Sequence, residues 1–293
     1  MERVLVTGAN GYIGRKVVDA LLALGYKVTA TDFICDQINP KADRVEIDLF
    51  NNNADLYELF LKPNRVIHLA WKDGFNHNAP SHIEYLPKHF AFLKTLIDAG
   101  VKNVAVMGSM HEIGFYEGEV KEDTPCNPLS LYGISKNALR QSLMVLNKNK
   151  NNDFNLYWLR GYYIFGNDEK NHSIFTKLLE KEAQGEKLFP FTTGENQYDF
   201  ISIENLALEI ALASVQNEVK GIINVCSGKP ISLKEMVESF IKKNNLKIRL
   251  NYGVFPSRPY DSKIIYGNPD KIKQIVKNAK NKELVKDLER MLG

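Results

Sequence analysis

Through the first half of the chain, short apolar runs alternate with longer amphipathic stretches. Arg3 to Val6, Lys27 to Thr31, Arg65 to Ala70 and Asn103 to Met107 are β-rich, and Ile13 to Leu24 and Phe90 to Ala99 repeat their apolar residues at helical spacing. Strands alternating with helices predict parallel βαβ units, an α/β fold built on a doubly wound sheet. A further helix is expected from near Ser130 to about Leu146, with a polar break over 147–155 before the apolar run Leu156 to Leu159. Beyond Gly166 the pieces shorten: a helix at Phe175 to Gln184, a hairpin-like stretch from Leu188 to Ser202, helices at Glu204 to Val215 and Leu233 to Lys242, and strands at Ile222 to Val225 and Lys247 to Leu250. We therefore expect residues 1–166 to form one domain. Residues 167–293 are expected to form mainly a smaller mixed α/β lobe on its C-terminal side, with some return of chain to the first.

Composition narrows the class without changing this picture. The 293 residues are 44% hydrophobic and 25% charged, with a formal net charge of +3, the make-up of an ordinary soluble protein. No run approaches the roughly 18 apolar residues of a membrane span, and Met1-Glu2-Arg3 leads straight into Val4-Leu5-Val6 without a signal-peptide pattern, so a cytoplasmic protein with no membrane partner is expected. Three scattered cysteines, Cys35, Cys126 and Cys226, are expected to be reduced and structural. Charge is uneven: residues 220 to 293 hold 16 Lys and Arg against 7 Asp and Glu. With so small a net charge, no nucleic-acid partner is expected.

The first strand runs into Thr7-Gly8-Ala9-Asn10-Gly11-Tyr12-Ile13-Gly14, after which a helix opens. Glycines so spaced at a strand-to-helix junction allow a tight turn, close approach to a pyrophosphate and packing of helix on strand, while the helix N-terminus offers free N–H groups. Gly8, Asn10, Gly11, Tyr12, Ile13 and Gly14 are the expected cofactor contacts. Asp32, at the end of the next strand, accepts hydrogen bonds from an adenosine ribose and repels a 2′-phosphate, which favours NAD(H), with NADP(H) still possible because Arg15 and Lys16 are close in sequence.

Tyr132-Gly133-Ile134-Ser135-Lys136 places a phenol and an ammonium four residues apart on one helix face. A nearby cation lowers a tyrosine pKa toward the range useful for general acid or base catalysis. Ser109, ending the strand Val104 to Gly108 at the ligand-binding edge of such a sheet, offers a hydroxyl to the same substrate oxygen.

With these residues in place, the chain resembles the extended short-chain dehydrogenase/reductases, which include nucleotide-sugar 4-epimerases, 4,6-dehydratases and 4-ketoreductases and share a Rossmann-type fold. Thr7 to Gly14 matches the family's cofactor turn, Asp48-Leu49 its adenine-contacting pair, and His68-Leu69-Ala70 the cofactor-lining segment after the fourth strand. Ser109, Tyr132 and Lys136 match the catalytic triad, the last two also contacting cofactor. Leu159-Arg160 with Phe165-Gly166, Tyr198 to Ile201, and Asn224 to Ser232 match segments of the second half. Arg258-Pro259-Tyr260-Asp261 matches the motif whose arginine binds the nucleotide-sugar diphosphate.

The departures select among reactions. The dehydratases' Asp-Glu pair after the catalytic hydroxyl is Met110-His111 here, with Glu112 one place late, which argues against elimination of water. Tyr163 replaces a substrate-contacting Asn, Ile113-Gly114 a Tyr-Gly, and Pro87 an Asn of the fourth helix, so the 4-epimerase's grip on substrate is altered. The resemblance thus implies an NAD(P)H-dependent 4-ketoreductase of nucleotide-linked 4-keto-6-deoxyhexoses (UDP, dTDP, GDP or CDP). The alternatives are a 4-epimerase with tightly held NAD and a cofactor-sensing protein without activity. Substrate contacts are expected from Ser109, His111, Tyr163 and Arg258; His111 and Glu112 either touch the sugar or shape the loop. His172 precedes a helix and is expected at the surface. His77, His82 and His89 lack metal-ligand spacing, so no metal is expected. The family's habit implies a homodimer through helices near Phe90 and Leu139.

Overall fold

The computed structural model describes residues 2–148, 153–166, 173–256, 261–279 and 285–286. Its first half contains β1 (Arg3–Thr7), α1 (Tyr12–Ala23), β2 (Lys27–Asp32), β3 (Asp43–Glu46), α2 (Leu56–Leu59), β4 (Arg65–His68), α3 (Ser81–Asp98), β5 (Asn103–Ser109), a one-turn 3₁₀ helix (Met110–Glu112), β6 (Gly118–Val120) and α4 (Leu131–Lys148). There follow β7 (Asn155–Gly161), β8 (Tyr163–Phe165), α5 (Ile174–Ala183), β9 (Leu188–Pro190), β10 (Gln197–Ser202), α6 (Ile203–Val215), β11 (Gly221–Val225), β12 (Pro230–Ser232), α7 (Leu233–Lys243), β13 (Arg249–Asn251), β14 (Ile264–Gly267) and α8 (Asp270–Asn278).

Seven strands form one parallel sheet in the order β11-β7-β5-β4-β1-β2-β3. The chain leaves β1 toward β2 and β3, then crosses back to β4, so the strand order reverses between β1 and β4. That reversal opens a crevice at their C-terminal ends. Alternation within β1 explains why both faces of the sheet are covered. Val4 and Val6 join Val17, Leu21, Leu206 and Ile210 of α1 and α6, whereas Leu5 joins Leu93, Leu96, Leu139 and Leu143 of α3 and α4. Each fully buried aliphatic side chain of this kind contributes roughly 1.5–3 kcal/mol. Gly25, at φ +85°, ends α1 in the left-handed conformation, and the Tyr26 N–H closes on the Leu21 carbonyl at 3.0 Å.

A second sheet runs β12-β10-β14-β6, with β8 beside β10. Position 166 is therefore crossed in both directions: β6 and β8 contribute to the small lobe, while α6, β11 and α8 return to the large sheet. Phe175, Leu178, Phe191, Phe200, Val237 and Phe240 form the small lobe's core.

Two local expectations are corrected. Residues 188–202 are not a hairpin: β9 pairs with β13 and β10 with β12, β14 and β8. The backbone groups between β9 and β10 are taken by distant partners, the Phe191 N–H donating to Asn251 and the Gly194 carbonyl accepting from Lys234, both at 2.9 Å. α3 begins at Ser81 rather than near Phe90 and carries Pro87 inside it. The proline removes one helical hydrogen bond, which the burial of His82, His89, Phe92 and Leu93 against the sheet offsets. Leu139 faces inward, leaving Ile83, Ile134 and Val145 exposed on α3 and α4. The three cysteines are free, and among the described residues no helix is long and apolar enough to cross a membrane.

Candidate active site

The glycine turn sits at the β1–β4 crevice as the spacing requires. Gly8 has φ +67°, and a Cβ there would lie 2.6 Å from the Ala70 nitrogen beyond β4. A Cβ on Gly14 would lie 2.1 Å from the Gly8 carbonyl oxygen, so α1 can approach the turn only with glycine at that position. No side chain caps α1 at Gly11, which leaves its first-turn N–H groups facing the crevice for an anion. The two Asp32 oxygens accept from the Asn10 N–H (3.0 Å) and the Phe33 N–H (2.9 Å). A carboxylate has roughly four acceptor positions, so two remain for ribose hydroxyls. Asn10 is itself held by Asp36 and Gln37, and Arg15 is engaged by Gln37 and the Gly11 carbonyl. Asp48 bonds the Phe50 N–H at 2.9 Å and Leu49 is buried in the α2–α3 core, both just past β3 beside the end of β2. The Ala70 N–H reaches the Thr7 hydroxyl at 3.4 Å. The turn, the uncapped helix and the free Asp32 acceptor positions fit a dinucleotide.

A cavity of about 670 Å³ joins this turn to the small lobe. Gly8, Gly11, Tyr12, Ile13, Gly14 and Leu69 line it, together with Ser109, His111, Tyr132 and Lys136. Tyr163, Phe175, Tyr198 and Phe200 line it as well. Ser109 ends β5 and caps the 3₁₀ turn: its hydroxyl accepts the His111 N–H at 3.3 Å and lies near enough to the Tyr132 phenol to favour its ionised form. The Tyr132 N–H, in the open first turn of α4, donates to the His77 carbonyl at 2.9 Å, and the His77 ring lies almost parallel to the phenol ring. One turn on, the Lys136 ammonium donates to the Met107 carbonyl at 2.7 Å.

The expected lowering of the Tyr132 pKa by Lys136 is not found in the protein alone. The Tyr132 ring borders the cavity, yet dense surroundings desolvate the group and push its pKa up to about 12; the Ser109 hydroxyl opposes this and the Glu112 charge adds to it. Burial also pulls Lys136 down to about 7 against the pull of Glu112.

Of the two residues after Met110, only His111 reaches the cavity. Burial lowers its pKa to about 4, so it is neutral at physiological pH. Glu112 is fully buried and shapes the loop: Oε1 accepts the Ser109 N–H (2.7 Å) and the Trp158 indole N–H (2.8 Å), and Oε2 faces Arg140 (3.4 Å) and Arg160 (3.7 Å). Asp199, also fully buried, ties the small lobe together by accepting from Ser227, Gly228 and Gly267. Tyr163 packs against Tyr198 at 4.4 Å between ring centroids. Arg258 and His172 lie outside the described residues. His77, His82 and His89 surround Trp71 and Tyr132 as ring partners, and no group of three or more potential metal ligands occurs among the described residues. Trp71, directly after the His68-Leu69-Ala70 segment, escaped the sequence reading. Its signal was that it is one of only two tryptophans and abuts a cofactor-lining motif.

Known proteins share both sequence and fold. A profile of the NAD dependent epimerase/dehydratase family matches residues 4–226. The dTDP-6-deoxy-L-talose 4-dehydrogenase (NAD(+)) of Aggregatibacter actinomycetemcomitans is 44% identical over 268 residues, spanning 90% of this chain and 98% of that protein. A putative UDP-glucose 4-epimerase of Methanocaldococcus jannaschii is 26% identical over 255 residues, 80% of each chain. Among solved structures, the UDP-N-acetylglucosamine 4-epimerase of Methanobrevibacter ruminantium M1, in complex with UDP-N-acetylmuramic acid, superposes with a TM-score of 0.82 at 22% identity, over 99% of this chain and 97% of that one. The glycine turn, the sheet order and the match over residues 4–226 agree: the chain belongs to the NAD-dependent epimerase/dehydratase family.

Proposed function

We propose that this protein uses NADH to reduce the C4 ketone of a dTDP-linked 4-keto-6-deoxyhexose, with Ser109, Tyr132 and Lys136 as the catalytic set. The observation that carries the reading is that these three residues line the same cavity as the glycine turn. The 44% identical relative, named a 4-dehydrogenase of dTDP-6-deoxy-L-talose, supports the nucleotide and the carbon: run backward, such an oxidation is a 4-keto reduction. Bound NADH supplies the hydride to C4. Ser109 and Tyr132 hydrogen-bond the ketone oxygen, and Tyr132, which retains its proton at neutral pH, gives that proton to the oxygen as negative charge develops there. Solvent then returns a proton to the phenol. Lys136 stabilises charge beside the phenol. Elimination chemistry has no acid in place, because Met110 is apolar and Glu112 is locked beneath the loop.

Gly8, Asn10, Gly11, Tyr12, Ile13, Gly14, Leu69 and Ala70 are proposed to hold the cofactor, with Asp48 and Leu49 at the adenine. Asp32 favours NADH over NADPH because its carboxylate accepts ribose hydroxyls and repels a 2′-phosphate. His111 and Tyr163 are proposed to contact the sugar and Arg258 its diphosphate. A cytoplasmic homodimer, paired through the outward faces of α3 and α4, completes the reading. The test is incubation with dTDP-4-keto-6-deoxyhexose and NADH or NADPH, following reduced-nicotinamide absorbance. Stoichiometric loss, faster with NADH, is expected. Interconversion of two sugars without net NADH loss would instead establish the 4-epimerase that several relatives are named for.

A further inference from the structure

Trp71 stands where β4 opens into the crevice and lines the cavity beside Lys136. The Lys136 ammonium sits 3.7 Å from the centroid of the Trp71 ring, close enough for a desolvated cation–π contact. The indole is held by several further partners. Its other neighbour is the His89 ring, stacked at 4.4 Å and 10° between planes, and its edge meets Tyr132 at 6.1 Å. Its N–H donates to His82 Nδ1 at 3.0 Å. Because an indole nitrogen only donates, His82 must carry its proton on Nε2, where it donates to the Asn76 carbonyl at 2.8 Å. His89 is tied in turn to His68, and His68 to the Thr7 hydroxyl, each at 2.8 Å.

Lys136 is fully enclosed, and its surroundings explain why such a platform is needed. It faces His68 from β4, His89 from α3, Tyr132 on its own helix and Glu112 from the 3₁₀ turn. His68 and His89 are kept neutral by burial, so they add no second positive charge and, as imidazoles, supply no anion. Glu112 is the carboxylate that raises the Lys136 pKa, and it is already paired with Arg140 and Arg160. The Met107 carbonyl and the indole face are the groups that directly receive the ammonium.

We propose that Trp71 is a positioning residue for Lys136: its π face holds the ammonium charged and in place within the desolvated site, through a ring that His82 and His89 keep fixed. This rests on the catalytic role proposed for Lys136, but the physical pairing is measurable without turnover. Tryptophan emission of the full-length protein, without ligands, is followed from acid to alkaline pH. The wild type is expected to show a step near pH 7, as the charge over the indole is lost, and Lys136→Met and Trp71→Phe are expected to lack it. A step that persists in both variants overturns the pairing.

The kinetic arm compares pH profiles of kcat/KM. Removing the π face destabilises the charged lysine and lowers its pKa, so Trp71→Leu should move the alkaline limb to lower pH by roughly one unit relative to wild type. Trp71→Phe, which restores a weaker face, should move it less. A thermal midpoint lowered equally in both variants with the alkaline limb unmoved would reduce Trp71 to packing and overturn the proposal. Full turnover by Lys136→Met would overturn the catalytic reading instead, leaving the emission result to judge the pairing by itself.

Discussion

Glu112 is the side chain whose removal should cost most for its size. Its carboxylate is 0% exposed and faces two guanidinium groups, one of them the fully buried Arg160, whose Nη2 makes no hydrogen bond and has the Glu112 oxygen 3.7 Å away. Breaking a buried ion pair from one side costs about 3–5 kcal/mol, because the remaining charge stays buried without its partner. Glu112→Gln keeps the shape and an acceptor for the Ser109 N–H, but it sets an amide N–H₂ or a neutral oxygen against Arg140 and Arg160, so isosteric replacement should not rescue. For a chain of this size, about 2 °C of thermal midpoint per kcal/mol gives an expected loss of roughly 6–10 °C in either Glu112→Gln or Glu112→Ala. Glu112→Ala also frees the backbone of Ser109, held at 2.7 Å by Glu112 Oε1, and misplacing a reacting group by an ångström lowers turnover by as much as about a hundredfold. Calorimetry or fluorescence melting measures the first effect, and steady-state kinetics well below the melting range measures the second. A Glu112→Gln protein melting within 2 °C of wild type would refute the argument from buried charge, and a Glu112→Ala protein with unchanged kcat would refute the positioning of Ser109.

Three other outcomes follow from the geometry. Gly14→Ala forces a Cβ to 2.1 Å from the Gly8 carbonyl oxygen and 2.7 Å from the Ala9 Cα. It should cost about 1–3 kcal/mol and weaken NADH binding in a fluorescence titration; wild-type binding would mean that α1 does not pack on the turn as described. Tyr132→Phe removes the proposed proton donor and should lower kcat by about 10²–10⁴ with little change in thermal midpoint, whereas unchanged turnover would assign the proton transfer elsewhere. Finally, burial holds His68 neutral with a pKa near 3, while an unfolded chain's histidine titrates near 6.5. Between those values the unfolded state binds the proton and the native state does not, so stability is lost as pH falls. Urea unfolding at pH 4.5 should show roughly 2–3 kcal/mol less stability from this group than at pH 7, and equal stability at the two values would contradict it.

The parts of this site legible in sequence are those whose requirement is local. Gly8 and Gly14 are fixed by a positive φ and by contacts within the turn itself, and Tyr132 and Lys136 by the pitch of one helix. What was not legible depends on strands distant in sequence. In sequence Glu112 reads as a carboxylate next to a catalytic serine that either touches the sugar or shapes the loop, with nothing local to decide between the two. It is buried because the β5–β7 register sets Gly108 against Arg160 and Val106 against Trp158, directly beneath the turn it caps. Even Gly108 belongs to this arrangement, since a Cβ there would lie 2.2 Å from the Trp158 indole nitrogen that Glu112 accepts from. The helix α3 was underestimated for the same reason: Pro87 obscures its periodicity, and its first half is held by tertiary burial of Ser81 and His82 rather than by propensity.

The sign of the tyrosine shift is a second long-range effect, and it bears on the direction of the chemistry. Spacing places a cation one turn from the phenol and so suggests an easily formed phenolate. The structure shows that the same enclosure acts on both groups in opposite senses, raising Tyr132 to about 12 and lowering Lys136 to about 7. The reason is that desolvation penalises whichever form is charged: phenolate for one, ammonium for the other. At neutral pH the phenol therefore keeps its proton. A protonated phenol beside Ser109 is the form that can donate to a ketone oxygen as that oxygen becomes negative, while oxidation of an alcohol would first have to form the phenolate that burial disfavours. The Lys136 ammonium is held by the Met107 carbonyl and the Trp71 ring, 5.8 Å from the centroid of the tyrosine ring. The tyrosine's acid strength is thus set by desolvation, opposed by Ser109 and reinforced by Glu112, rather than by the Tyr-x-x-x-Lys spacing.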